Sequence, residues 1–251
     1  MVERHRSSAA VPSSISEPRV PAPRAGRWSL PALALALTLL GAVSEANAGT
    51  PRVVASIAPL HALISDVMSG LGSPALLVPA NQSPHGYALR PSDMLALSEA
   101  DLIVWIGPGL DGAVGRAVRS LKPDAVAIEA VRLDGLTLHK ATFDHGQDEG
   151  TMDGEPPEHG VVDPHLWLDP LNAIVLVDVF AATLAEIDRD HAAQYEENAL
   201  ALKERLRALD ARLRARLAPV ARERYVVFHS AYRYLERRYG LEGGIALTID
   251  P

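Results

Sequence analysis

Cysteine is absent from all 251 residues. Its absence excludes disulfides, thiolate metal sites and cysteine nucleophiles. In an exported chain it also removes the hazard of thiol mispairing in an oxidising compartment. Aromatic residues are scarce at 5%, so no stacking platform for nucleic acid is evident. Basic charge is in deficit, with 24 Lys and Arg against 31 Asp and Glu, a net charge of −7. Residues 1–48 hold five Arg and three Glu, so without them 19 basic residues face 28 acidic ones, or −9. That balance repels nucleic acid and mildly favours cations; plain solubility accounts for it equally well. Otherwise the composition is that of an ordinary globular protein, 48% apolar and 22% charged. The length suits one large core or two modest ones.

A long apolar run is also missing. The stretch over residues 30–43 is shorter than the ~20 residues that cross a bilayer. Arg24 and Arg27 precede it, and Ala46-Asn47-Ala48 follows as a small-x-small cleavage site before Gly49. This is the order of a secretory signal. We therefore read residues 1–48 as a signal peptide with a long leader, and expect a periplasmic mature chain. No cysteine follows the cleavage site to carry a lipid, so no stable membrane anchor is expected.

Beyond residue 48, short apolar strands alternate with helical patterns. Strands are expected over residues 52–57, 75–78, 102–106 and 125–128. Helices are expected from Pro59, from Arg90-Pro91-Ser92-Asp93 with Ser92 or Asp93 near the first turn, and over 113–121, the last following a break at Gly107-Pro108-Gly109. This alternation implies a parallel α/β layer whose ligand loops lie beyond the carboxyl ends of the strands. Residues 139–163 break the pattern and read as an acidic mobile loop. A long apolar helix follows over 172–187, then a charged amphipathic one over about 191–217, stopped by Pro219. A strand over 224–228, a helix over 231–239 and a strand over 245–249 begin a second layer.

Three histidines stand in motifs that present them: His85 in Ser83-Pro84-His85-Gly86-Tyr87, His165 in Asp163-Pro164-His165-Leu166-Trp167-Leu168-Asp169-Pro170, and His229 in Val226-Val227-Phe228-His229-Ser230. Imidazole is the commonest ligand for borderline transition metals, and three with an open position suit zinc. A single loop histidine is more often a surface residue than a ligand. His85 and His229 each directly after a strand, and His165 just before the long helix, could meet in one cleft. Asp163, Asp169 and Ser230 are candidates to orient the rings. His61 and His191 read as structural or solvent-exposed.

These residues resemble a known family. The strings are Val53-Val54-Ala55-Ser56-Ile57-Ala58-Pro59-Leu60-His61, Pro84-His85-Gly86-Tyr87-Ala88-Leu89-Arg90-Pro91-Ser92-Asp93, Ala100-Asp101-Leu102-Ile103-Val104-Trp105-Ile106-Gly107, the motif around His165, and Phe228-His229-Ser230-Ala231-Tyr232-Arg233-Tyr234. In order over about 51–251, they resemble the metal-binding solute receptors of bacterial ABC importers, and among these the zinc receptors of the ZnuA type. The resemblance implies two α/β lobes with parallel sheets, joined by one long rigid helix, with the metal between them. The lobes would be residues 49–170 and a partial, incomplete 191–251, joined by a connecting helix over 171–190. It implies His85 and His165 as ligands from the first lobe and His229 from the second. A carboxylate usual in manganese receptors at the position of His229 is replaced here by imidazole, which favours Zn2+ as the transported ligand. The partner implied is an ABC-transporter permease, and the protein is expected to be a monomer with no catalytic residue. Two departures stand out: Pro84 occupies a position where some zinc receptors carry Glu, and the family's second lobe continues past residue 251. Alternatives are a manganese or iron receptor, and a zinc hydrolase using Glu155, Glu158 or Asp163 as general base. No His-Glu-x-x-His motif supports the hydrolase.

Overall fold

The computed structural model describes residues 49–121, 125–141 and 162–248. Residues 1–48, read above as a signal peptide, and residues 142–161 of the acidic loop lie outside them.

Four short strands, β1 (Val53–Ala55), β2 (Ala75–Leu76), β3 (Leu102–Trp105) and β4 (Val126–Glu129), form a parallel sheet in the order β2-β1-β3-β4. Val53 stands opposite Leu102, and Leu102 opposite Val126. Helices α1 (Ala58–Val67), α2 (Pro91–Glu99) and α3 (Pro108–Leu121) make the crossovers. Side chains alternate across a strand, so the two central strands, β1 and β3, each feed two cores. Val53, Ala55, Leu102 and Val104 face one core with Leu60, Ile64 and Val67 of α1. Val54, Ile103 and Trp105 face the other with Leu97 of α2 and Val114 and Ala117 of α3. The strands read as unbroken apolar runs because both faces are covered.

Two helices complete the first core. Helix α4 (Pro170–Ile187) buries Ala173, Leu176, Val177, Phe180, Ala181 and Leu184, a helical stripe, while Leu171 and Asp178 stay exposed. It is long and apolar enough to cross a membrane, yet this stripe is packed against the sheet and α1. Helix α5 (Ala192–Leu217) buries Tyr195, Ala199 and Leu202 in the same core. Its Asn198 amide donates to the Val67 and Ser69 carbonyls at the end of α1, at 2.9 Å each. The sequence boundary at residue 190 thus falls within a packed region. Past Leu202, α5 buries none of its residues.

A second, two-stranded parallel sheet follows, β5 (Val226–His229) beside β6 (Ile245–Thr248), with Val226 opposite Ile245. Helix α6 (Arg233–Tyr239) lies between them in sequence and ends at Gly240, in the left-handed conformation (φ 67°) that closes helices at little cost to glycine.

Two expectations shift. Gly107-Pro108-Gly109 starts a helix rather than merely ending a strand. Helix α3 begins at Pro108, and its kink lies at Asp111 (φ −123°, ψ 39°). The buried Asp111 carboxylate accepts from the Ile106 and Gly107 amides at 3.0 and 2.9 Å, tying the turn to the end of β3. Burial pushes that carboxyl above its ordinary range. His229, expected just after a strand, is the last residue of β5, with Thr248 opposite.

Candidate metal centre

His85 lies nine residues beyond the end of β2. Its loop is tied down by its own motif. Tyr87 donates its hydroxyl to Asp93 at 3.0 Å, and the Arg90 amide donates to the same oxygen at 2.8 Å. Pro91 occupies the first turn of α2, where no amide hydrogen is needed. Tyr87, Arg90, Pro91 and Asp93 therefore anchor the loop that presents His85.

His165 sits in a more enclosed place, 7% exposed. A 3-10 turn, Leu166–Leu168, follows it and leads into α4. Asp163 grips it twice: Oδ1 accepts from the His165 amide and faces Nδ1, both at 2.9 Å. A carboxylate there holds the hydrogen on Nδ1 and leaves the Nε2 lone pair for a ligand. Asp163 is thereby occupied and unsuited to act as a general base; Glu155 and Glu158 lie outside the described residues. Asp169 does not orient a ring. It caps α4 by accepting from the Leu171 amide at 2.8 Å and pairs with Arg238 at 3.1 Å.

The structure brings His85, His165 and His229 together, with one ring nitrogen from each within 4.8 Å of the others. The ring centroids are 5.4 to 6.0 Å apart. An ion centred in a triangle of that edge would lie about 2.8 Å from each nitrogen, against ~2.0–2.1 Å in a zinc–imidazole bond. Closing each ring by less than about 1 Å makes the bonds. Among the described residues no carboxylate joins the cluster. A cleft of about 300 Å³, lined by His85, Tyr87 and the first turns of α3, opens beside it. His61 and His191 stand elsewhere, His61 Nε2 against the Pro74 carbonyl at 3.0 Å and His191 Nδ1 against Asp188 at 2.8 Å.

Sequence reading missed the groups that hold the segment around His165. Asn172 donates to the Leu166 and Thr137 carbonyls, at 3.1 and 2.9 Å, and accepts from the Thr137 amide at 2.8 Å. The Tyr234 hydroxyl donates to the Asp163 carbonyl at 2.8 Å and accepts from the His139 amide at 3.2 Å. Burial pushes that phenol up to about 12, so it keeps the proton it donates. Apart from Asn172 and Leu166, six positions apart, these partners lie 35 to 95 residues apart in sequence, and no local pattern announces them.

A doubly wound α/β scaffold with a cysteine-free cluster of three imidazoles defines a class: proteins shaped to bind a borderline transition-metal ion. Comparison with known proteins narrows it. The family of the periplasmic zinc-uptake complex component A, ZnuA, matches residues 53–251. The high-affinity zinc uptake system protein ZnuA of Brucella abortus is 36% identical over 226 residues, covering 79% of this chain and 68% of its own length. A crystal structure of ZnuA superposes with a TM-score of 0.67 at 28% identity, covering 80% of this chain and 71% of that one. The Zn(II)-bound AdcA of Streptococcus pneumoniae gives a TM-score of 0.64 at 26% identity, over 80% of this chain but 40% of its own. The chain belongs to the ZnuA family of periplasmic zinc-uptake components.

Proposed function

We propose that this chain captures Zn2+ in the periplasm and delivers it to the permease of an ABC importer. His85, His165 and His229 are the ligands. Residues 49–170 supply His85 and His165, residues 191–251 supply His229, and residues 1–48 direct export. The observation that carries this reading is the convergence of three imidazole nitrogens from distant segments within 4.8 Å. Three imidazole nitrogens, with no carboxylate among the described residues of the cluster, suit zinc better than manganese, which prefers hard oxygen ligands. The relatives' names point the same way: they describe zinc uptake, not catalysis. The chain acts as a soluble monomeric receptor, with no reaction of its own and no nucleic-acid partner.

The ion binds as cargo. Asp163, hydrogen-bonded behind His165, fixes that ring's tautomer and direction. A fourth position left to water keeps the site exchangeable, as delivery requires. Imidazoles ligate only as neutral rings, so protons compete with the ion and affinity is expected to fall in acid.

Titration with Zn2+ against a competing chelator tests the reading. One tight site is expected, with Mn2+ competing poorly. Equal affinity in wild type and His85→Ala would refute the ligand set. Zinc-dependent hydrolysis of esters or phosphates would favour the enzyme alternative.

A further inference from the structure

Helix α6 follows His229 directly, yet its side chains reach back to both ends of the segment that carries His165. At one end, the Tyr234 hydroxyl donates to the carbonyl of Asp163, the residue whose carboxylate holds the His165 ring. At the other, Arg238 Nε lies 3.1 Å from Asp169, which caps α4. The same guanidinium makes a two-pronged pair with Asp210 of α5, both contacts at 2.7 Å, and Tyr239 adds its hydroxyl to Asp210 at 3.0 Å. The groups are enclosed: the Arg238, Asp169 and Asp210 side chains are 14%, 7% and 16% exposed, and Tyr234 is fully buried.

The Tyr234 hydroxyl has one hydrogen to give. It gives it to Asp163 and accepts from the His139 amide, so its bonding is directional in both senses. A fork-shaped guanidinium shared between two carboxylates likewise admits little play. Residues 163–169 are thus clamped at both ends by one helix, whose preceding strand ends in His229.

We propose that Tyr234 and Arg238 are positioning residues for the metal site, with α6 acting as a rigid brace that fixes the spacing between His165 and His229. This deepens the zinc-receptor reading and rests on it. Neither residue touches the ion. Tyr234 acts through Asp163 on the direction of the His165 ring, and Arg238 acts through Asp169 on the start of α4. The site is accordingly built before the ion arrives.

The test uses the full chain with Zn2+ and a competing chelator, and with Co2+ as a spectroscopic probe. Tyr234→Phe keeps the buried ring and removes only the hydroxyl. Its Zn2+ affinity is expected to fall about tenfold, as for other changes behind a metal-bound histidine. Its Co2+ visible bands are expected to shift, and zinc to leave faster. Arg238→Lys keeps the charge without the fork and is expected to fall between wild type and Arg238→Met. Tyr195→Phe is the matched control: this tyrosine is as fully buried, and it loses a hydroxyl bond to Asp188 (2.9 Å) that reaches neither α6 nor residues 163–169. It is expected to bind Zn2+ and Co2+ as wild type does. His165→Ala separates the two levels. If it binds zinc as wild type does, the ligand reading falls and the brace with it. If it loses zinc while Tyr234→Phe keeps wild-type affinity and Co2+ spectrum, the brace alone is overturned. An equal loss in Tyr195→Phe and Tyr234→Phe would also overturn it, by reducing the effect to general destabilisation.

Discussion

At the scale of single residues, chemistry is concentrated in a few side chains whose neighbours decide what they can do. Asp163→Asn removes the charge behind His165, and a roughly tenfold or greater loss of Zn2+ affinity is expected by chelator competition. Arg238 carries a pH signature. Its hydrogen bonds hold the Asp210 carboxyl below its ordinary value, aided against burial by Tyr239. A depressed native value means that stability from this pair is present above about pH 4 and lost as pH falls through the native value. Arg238→Met removes the cation that two enclosed carboxylates share and leaves Asp210 only the Arg214 cation, at 3.7 Å, a cost on the order of 3 kcal/mol near neutrality. Thermal unfolding of wild type and variant at pH 7 and pH 3.5 is expected to give a gap that narrows in acid. The three histidines stood out in the sequence because each sat in a distinctive local motif. Arg238 did not, because its partners lie 28 and 69 positions away, at Asp210 and Asp169, and only packing joins them.

At the scale of elements, periodicity located the strands and helices well and their ends less well. The strongly apolar run over 102–106, bounded by Gly107-Pro108, reads as a buried strand, and β3 occupies Leu102–Trp105 of it. The start of α3 was hidden because Gly107 and Pro108 signal a break, while the capping role of Asp111 depends on two amides the fold delivers to it. One close approach gives a sharp expectation. A methyl group at Gly115 of α3 would lie 2.4 Å from the Trp105 ring, and that ring is packed in the second core. Gly115→Ala is expected to destabilise by roughly 1–3 kcal/mol, despite the better helix propensity of alanine. Denaturant unfolding followed by tryptophan fluorescence checks it; an unchanged midpoint would show the ring free to move aside.

At the scale of the whole molecule, the ion and the fold are thermodynamically linked. Zn2+ at a hundred times its dissociation constant is expected to add about 2.7 kcal/mol of stability. That corresponds to roughly 5–10 °C in melting temperature for a chain of this size. His229→Ala is expected to lose most of that rise, measured with and without chelator. The second sheet is also informative: Val226, Phe228, Ile245 and Leu247 are each 60% exposed or more, on one small apolar face. Such a patch is expected to bind a hydrophobic dye, and Leu247→Lys to reduce the signal. The sequence by itself determined the alternation of strands and helices, the apolar surfaces that cover the first sheet, and the identity of three candidate ligands, because these follow from local periodicity and side-chain chemistry. Only the tertiary structure decided that the three rings meet, that Asp163 rather than Asp169 stands behind His165, and that one short helix ties both ends of that segment. Distances between groups tens of residues apart are set by packing, which no local pattern encodes.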